Sequence, residues 1–377
     1  MKRPIAAAGL LVMIATLATG CRPSASATAT ARAENDADLA GTRRNEALAT
    51  ARVWSPPALP ISRADLRANP AGAPFSPEDE VTCRFTRRTV GGTTPKFYCE
   101  LPAGEVVKVK YGASPELQAE VAASRLLTAL GFGADQMYVV GRVRCAGCPA
   151  FPFQSLRCFD RVGLEFPCFP GGSDPGSMVD FGIAVLERRL AGRVVEAADD
   201  QGWAWFELDR IDPARGGSSR AEVDALRLMA VFLAHWDNKA PNQRLLCLPG
   251  SDGSDGACAR SLAIMQDLGA TFGPTKIDLH NWRRGRIWKD GAPCTVSMEH
   301  LPWGGGTFPE RQISEPGRRL LLSLLEQLSE QQIQDLFEGS RVTSHDQFSA
   351  EARRAVAWSR VFTDKIQQIR DAGPCPS

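Results

Sequence analysis

The sequence has almost no net charge: 44 Lys and Arg stand against 43 Asp and Glu in 377 residues, a formal balance of +1. Without a basic excess there is no field to gather a polyanion, so nucleic acid is excluded as a partner. A long apolar run is missing at the amino terminus as well, where Ile5 to Ala18 is too short for a stable membrane-spanning helix. From Arg22 to about Pro74 there is little apolar periodicity. Ala, Pro, Ser, Thr and Arg dominate there, and such a composition buries too little surface to offset chain entropy, which predicts a flexible tether over 21–74. The remainder of the chain differs, because 44% hydrophobic residues overall suffice for a core of roughly 250 to 300 residues.

Lys2 and Arg3, the apolar run, and Thr19-Gly20 before Cys21 describe a secretory signal peptide over 1–20. The cysteine after Ala-Thr-Gly resembles a bacterial lipobox. That resemblance implies cleavage before Cys21 and acylation of its thiol and new amino group, palmitate among the acyl chains. The chain would then be a membrane-anchored lipoprotein of the cell envelope, facing the periplasm or exterior, with Arg22 in place of Asp favouring the outer membrane.

Of 11 cysteines, ten remain after Cys21, an even number in a chain that leaves the reducing cytoplasm, so disulfides are expected. Proximity suggests Cys83 with Cys99, Cys247 with Cys258, and Cys294 with Cys375. Cys145, Cys148, Cys158 and Cys168 form a local group of four, expected as two further disulfides, with zinc the alternative for its C-x-x-C start.

The chemistry concentrates in His235 to Asn242, HWDNKAPN, at the end of an apolar helical run from Glu222 to Ala234. Asp237, Lys239 and Asn242 are spaced so that one loop can bring them to a transferred phosphoryl group and its metal. A strand-like run then ends in Asp267-Leu268-Gly269, and a hairpin from Asn242 to Asp267 would return Asp267 beside Asn242. The spacing H-x-D-x-K-x-x-N resembles the catalytic loop of protein kinases, and D-x-G resembles their metal-binding D-F-G. Carried onto this chain, the resemblance makes Asp237 the base or acceptor-orienting group and Lys239 a stabiliser of γ-phosphoryl charge. It makes Asn242 and Asp267 ligands of Mg2+, and ATP the cofactor.

Upstream, Val81 to Val90, Lys96 to Leu101 and Glu105 to Tyr111 read as strands, the first two joined by Gly91-Gly92-Thr93-Thr94-Pro95. The backbone of that turn and the hydroxyls of Thr93 and Thr94 are candidate phosphate donors. In VVKVKYG, Lys108 and Lys110 share one face, which is costly unless they meet anions. The same resemblance implies a phosphate-binding lysine on this strand, for which Lys108 is chosen with Lys110 as alternative. On a helix predicted over Pro115 to Leu130, the kinase resemblance implies Glu120 as the carboxylate partner of that lysine, with Glu116 the alternative.

These motifs resemble the atypical kinase-like superfamily: HipA-like, CotH-like and phosphatidylinositol 3- and 4-kinase-like proteins, and the secretory-pathway casein kinases, which also lack A-P-E. The implied fold is α+β and two-lobed, with a small β-rich N-lobe over 75–143, a cysteine-rich inter-lobe region over 144–200 and a mainly helical C-lobe over 201–377. The implied function is extracytoplasmic phosphotransfer from ATP to an acceptor that is a protein, lipid or glycan. The alternatives are a non-catalytic kinase-fold binding module and an AMP-transferring enzyme.

Overall fold

The computed structural model describes residues 38–377 except 71, 73, 170–175, 198–200, 254–255, 275 and 303–304. The signal-peptide and lipidation expectations, Cys21 included, lie outside the described residues. Contacts divide the chain into Met1–Leu39 and a compact unit, Ala40–Ser377, which alone is considered below. Among the described residues, no helix is long and apolar enough to cross a membrane.

The unit has the expected two-lobed α+β architecture. Its small lobe is a seven-stranded sheet in the order β4-β7-β3-β2-β1-β5-β6. The strands are β1 (Glu80–Thr86), β2 (Lys96–Glu100), β3 (Val106–Tyr111), β4 (Gln136–Val140), β5 (Arg142–Ala146), β6 (Met178–Phe181) and β7 (Ala184–Arg188). Alternation along β1 to β3 puts Val81, Cys83, Phe97, Cys99, Val107 and Val109 into one core on the outer face. Lys96, Lys108 and Lys110 are left on the other face, toward the cleft.

Two boundaries differ from the sequence expectation. The region 144–200 is no inter-lobe insertion: β5 adds to the sheet parallel to β1, and β7 inserts between β3 and β4. Cys145, Phe181, Ala184 and Leu186 alternate inward and complete the small-lobe core, which gives these strands their place. The helices α3 (Pro152–Val162) and α4 (Glu165–Cys168) lie between β5 and β6. They brace the glycine turn, since Arg157 donates to the Gly92 carbonyl at 2.7 Å and Arg87 of the same connection pairs with Glu165. The tether is also shorter than expected. A helical stretch over residues 40–49, α1, and the strap after it bury Ala47, Leu48, Val53, Ile61 and Leu66 in the main core. Arg44 is 2% exposed and bonded twice to Glu207, at 3.0 and 2.7 Å.

Between sheet and large lobe runs α2 (Glu116–Ala129), 14 residues of which 11 are buried. Its Leu117 and Val121 pack against Met137, Val139 and Val185 of the sheet, while Ala119, Ala122, Ala123, Leu126 and Leu127 join the large-lobe core. A helix apolar on so many sides has to be enclosed. The strap holds it further, because Arg125 donates to the carbonyl of Arg67 at 2.9 Å and to Asn69 Oδ1 at 2.8 Å.

The large lobe is built on α5 (Arg220–Phe232), with α6 (Leu279–Arg284), α7 (Glu315–Leu325), α8 (Glu330–Gly339) and α9 (Ala355–Asp371). Ser219 and Glu222 form a capping box that starts α5. The hairpin of β9 (Gln243–Cys247) and β10 (Ser261–Met265) follows its end, with the short β8 (Arg193–Val194) on the other edge of β9. A small ladder of β11 (Thr295–Val296) and β12 (Arg311–Gln312) completes the strands. The five disulfides are Cys83–Cys99, Cys145–Cys148, Cys158–Cys168, Cys247–Cys258 and Cys294–Cys375. The three expected pairs form, and the group of four closes as two local bridges.

Candidate active site

The β9–β10 hairpin sets the floor of the cleft. Met265 pairs with Gln243, so Asn242 and Asp267 flank the open end of the ladder, and Gln266 N donates to the Asn242 carbonyl at 3.1 Å. Asn242 sends its Nδ2 to the Asp237 carbonyl at 2.7 Å, which pins the loop and leaves its Oδ1 as the amide's remaining acceptor. Lys239 Nζ lies 3.0 Å from Asp237 Oδ1. The loop thus presents Asp237, Lys239 and Asn242 together.

Two residues that the sequence reading passed over hold this loop. Asn238, 2% exposed, accepts from the backbone N–H groups of Thr307 and Phe308 at 2.8 and 3.0 Å and donates to the His235 carbonyl at 3.0 Å. Gly202 has φ +69°, and a Cβ there would stand 2.1 Å from the Ala240 carbonyl oxygen and 2.3 Å from that of Gln243. No side chain fits between these strands of backbone.

The roof contributes three lysines. Lys110, 3% exposed, meets both carboxylate oxygens of Glu120 at 2.5 Å, Glu187 at 3.0 Å, and Asp267 at 4.0 Å. Lys108 meets Glu187 instead, at 2.5 Å. The choice of Lys108 as partner of Glu120 is therefore corrected: both lysines point into the cleft, but α2 presents Glu120 opposite Lys110. Glu187 was not anticipated at all. Its strand arrives late in the chain and inserts beside β3, pairing Glu187 with Lys108 across the ladder.

Lys96 is the third, opposite Lys110 on β2 and beneath the glycine turn, where its Nζ would lie 3.2 Å from a Cβ on Gly92. It makes no ion pair among the described residues. The signal for it was its parity with Tyr98 in a strand that pairs with β3. Thr94, expected to offer its hydroxyl to phosphate, donates it to Glu116, so that proton is already committed. Thr93 stays exposed in the turn. Glu116 in turn pairs with Lys276 at 3.1 Å and packs on Gly269, tying α2 to the segment after Asp267.

Electrostatics follow from this crowding. Burial works to raise the Asp267 carboxyl, but the ammonium groups of Lys110, Lys96 and Lys108 outweigh it and hold it below the usual carboxylate range. Burial raises Glu120 to about 7 against the pull of Lys110, with Glu187 and Asp267 adding to the rise. For Glu187 the two lysines win over burial and hold it ionised. Burial and the nearby Lys110 push the Lys96 ammonium down. Asp267, whose side chain is 50% exposed, faces the open cleft.

Asp267 and the free oxygen of Asn242 form the kind of hard, oxygen-only donor pair that suits magnesium. The cysteine cluster offers no such site, because Cys83, Cys99 and Cys145 are all disulfide-bonded.

His235 is fully buried beside Gln243, with Nε2 to Nε2 at 3.3 Å, and burial pushes its imidazole from 6.5 down to about 4. It is a neutral prop for the loop rather than a proton carrier. The unfolded chain takes up this proton below 6.5 and the native state only below about 4, so stability falls as pH drops through that window. By pH 5 the loss from this residue should be about 2 kcal/mol. Urea unfolding at pH 7 and pH 5 should show a smaller difference between the two in His235→Gln than in the wild type; an unchanged difference would assign the acid sensitivity to other groups.

No protein-family model matches the chain, and no curated protein sequence matches it. Among solved structures, it is similar to the Helicobacter pylori proinflammatory kinase CtkA, at TM-score 0.41 and 10% identity, over 78% of this chain and 96% of that one. It is also similar to a Golgi casein kinase with Mn and ADP bound, at TM-score 0.34 and 12% identity, over 82% of this chain and 74% of that one. Both likenesses are distant.

Proposed function

We propose that the chain is a kinase-like phosphotransferase that moves the γ-phosphoryl group of ATP to an acceptor hydroxyl. The observation that carries this reading is the single cleft in which Lys110, fixed by Glu120 and Glu187, faces Asp267 while the hairpin holds Asn242 and Asp237 alongside. A bound Mg2+ would neutralise phosphate charge there, held by Asp267 and Asn242. Phosphoryl transfer asks the protein mainly to position and to stabilise charge, and the residues divide that labour. Lys110 is oriented by its carboxylates toward the nucleotide phosphates. Lys96 offers a cation that makes no close ion pair among the described residues, although Asp267 and Glu120 act on it from further away. Lys239 stands at the loop where the transferred group would sit, and Asp237 orients the acceptor hydroxyl and takes its proton.

We place the enzyme in the cell envelope, lipid-anchored at Cys21. Five disulfides among ten cysteines support an oxidising compartment. Cys21→Ser should move the protein from the membrane to the soluble fraction; retention at the membrane would remove the anchor from the proposal.

Thermal unfolding of the oxidised protein with and without MgATP tests the site. Nucleotide at ~100 times its Kd should stabilise by ~2.7 kcal/mol. Lys96→Met should weaken nucleotide binding about tenfold while leaving the apo melting temperature nearly unchanged, since Lys96 makes no close ion pair among the described residues and burial and Lys110 already disfavour its charge. Transfer of label from γ-labelled but not α-labelled ATP distinguishes phosphoryl from AMP transfer. Absence of any nucleotide-dependent shift at millimolar concentration would overturn the reading.

A further inference from the structure

Beside the catalytic segments, but separate from the lysine cleft, the large lobe holds a cavity of about 240 Å3. One wall is Val231 and Ala234, immediately upstream of His235 to Asn242; another is Gly273 and Pro274, a short way after Asp267. Among its described lining residues there is no carboxylate, yet there are four basic side chains.

Lys365 of α9 forms the floor and is 3% exposed. Its ammonium donates to the Gly285 carbonyl at 2.8 Å and stands 5.5 Å from the centre of the Trp282 ring. Neither partner neutralises it. Burial pushes its ammonium down to about 8, with Asp364 on the same helix acting in the opposite sense. Around the mouth are the exposed side chains of Arg284, Arg286 and His300, of which Arg286 is engaged by Asp290. The His300 imidazole is pushed down by its partial burial and, secondarily, by the Lys365 ammonium.

A buried ammonium without a counter-charge is costly, and a lysine that gives one proton to a carbonyl has two left. Arginine adds a planar fork suited to two oxygens of one ligand. The volume accommodates a tetrahedral oxyanion and a few waters, each water occupying ~30 Å3.

We propose that this cavity is an anion pocket for a phosphate dianion, free or as a phosphomonoester, bound by Lys365 at the floor and by Arg284 and His300 at the mouth. Its walls belong to the chain on either side of the loop and of Asp267, so occupancy would bear on the position of both. As a phosphate pocket it stands independently of the phosphotransfer reading.

Calorimetric titration of the oxidised protein with inorganic phosphate and with O-phosphoethanolamine, at ionic strength matched with chloride, tests it. Binding of either ligand is expected, with Kd rising at least tenfold in Lys365→Met and severalfold in Arg284→Gln. Because Arg284 is exposed, its variant keeps the test open even where Lys365→Met fails to fold. Tighter binding of the ester than of the free ion would identify a phosphorylated partner group as the source, and equal binding would identify free phosphate. Lys96→Met controls for the nucleotide cleft: binding lost in that variant but kept in Lys365→Met and Arg284→Gln belongs to the cleft and overturns the proposal. So does a wild type that binds neither ligand, whereas loss of nucleotide binding with phosphate binding intact leaves the pocket standing and overturns only the kinase reading.

Discussion

Asp267→Asn should abolish nucleotide-dependent phosphotransfer, by at least ~10³-fold, with the fold intact. The residue has φ +53°, a left-handed conformation that asparagine tolerates and alanine does not, so the amide keeps the backbone where alanine would strain it. The substitution removes one negative charge from the side of the cleft facing Lys110, Lys96 and Lys108, the three cations that hold this carboxyl ionised. It also removes a charged oxygen from the pair that would hold magnesium, and an amide oxygen is a much weaker ligand for a hard divalent cation. Loss of phosphotransfer, with an apo melting temperature within a few degrees of wild type and a lost response to MgATP, is the expected combination. Full activity in Asp267→Asn would mean that this carboxylate is structural and that the metal, if any, is held elsewhere. A variant that unfolds would instead show that the three lysines need Asp267 to coexist, and Lys96→Met in the same background should then restore the fold.

What the sequence revealed depended on whether a feature is local. HWDNKAPN and the hairpin back to Asp267 are short-range, so Asp237, Lys239, Asn242 and Asp267 were legible as one constellation, and ladder pairing does bring Asn242 and Asp267 together. The parity of Lys108 and Lys110 was legible too. Which of them meets Glu120 was not, because both share a face and only the placement of α2 against the sheet separates them. Glu187 and Lys96 escaped for the same reason: each reaches the cleft through ladder pairing, and β7 comes to β3 only after an intervening cysteine-rich stretch. The strap after α1, to about residue 70, was missed because its anchors, Val53, Ile61 and Leu66, follow no helical or strand period. An irregular segment that packs on α2 carries no periodic signal to read. Cysteine pairing was legible by proximity along the chain, since every bridge except Cys294–Cys375 spans 16 residues or fewer.

Lys110→Met should both inactivate and destabilise, and the two effects are separable. In the native protein Glu120 and Glu187 are 3% and 5% exposed, and each depends on the Lys110 ammonium for a counter-charge. Removing it leaves Glu187 with Lys108 at 2.5 Å but leaves Glu120 with no close cation. Breaking a buried pair in this way typically costs ~3 to 5 kcal/mol, because an uncompensated charge remains. Part of that cost is avoidable: the Glu120 carboxyl already sits at about 7, and in the variant it would take up a proton more readily still. Because the folded-state carboxyl is then raised still further above its unfolded value, the unfolded chain gives up this proton first as pH rises, and the destabilisation should be larger at pH 8 than at pH 6. In the double variant Lys110→Met, Glu120→Gln the charge is gone at every pH, so most of the stability should return and its pH dependence should flatten. Activity should not return with it, since a methionine presents no charge to the nucleotide phosphates; a loss of ~10²- to 10³-fold is expected in both variants. Urea unfolding of the single and double variants at the two pH values, beside phosphotransfer assays, separates the outcomes. If the double variant recovers both stability and activity, Lys110 only neutralises a buried carboxylate, and the phosphate-binding role passes to Lys96.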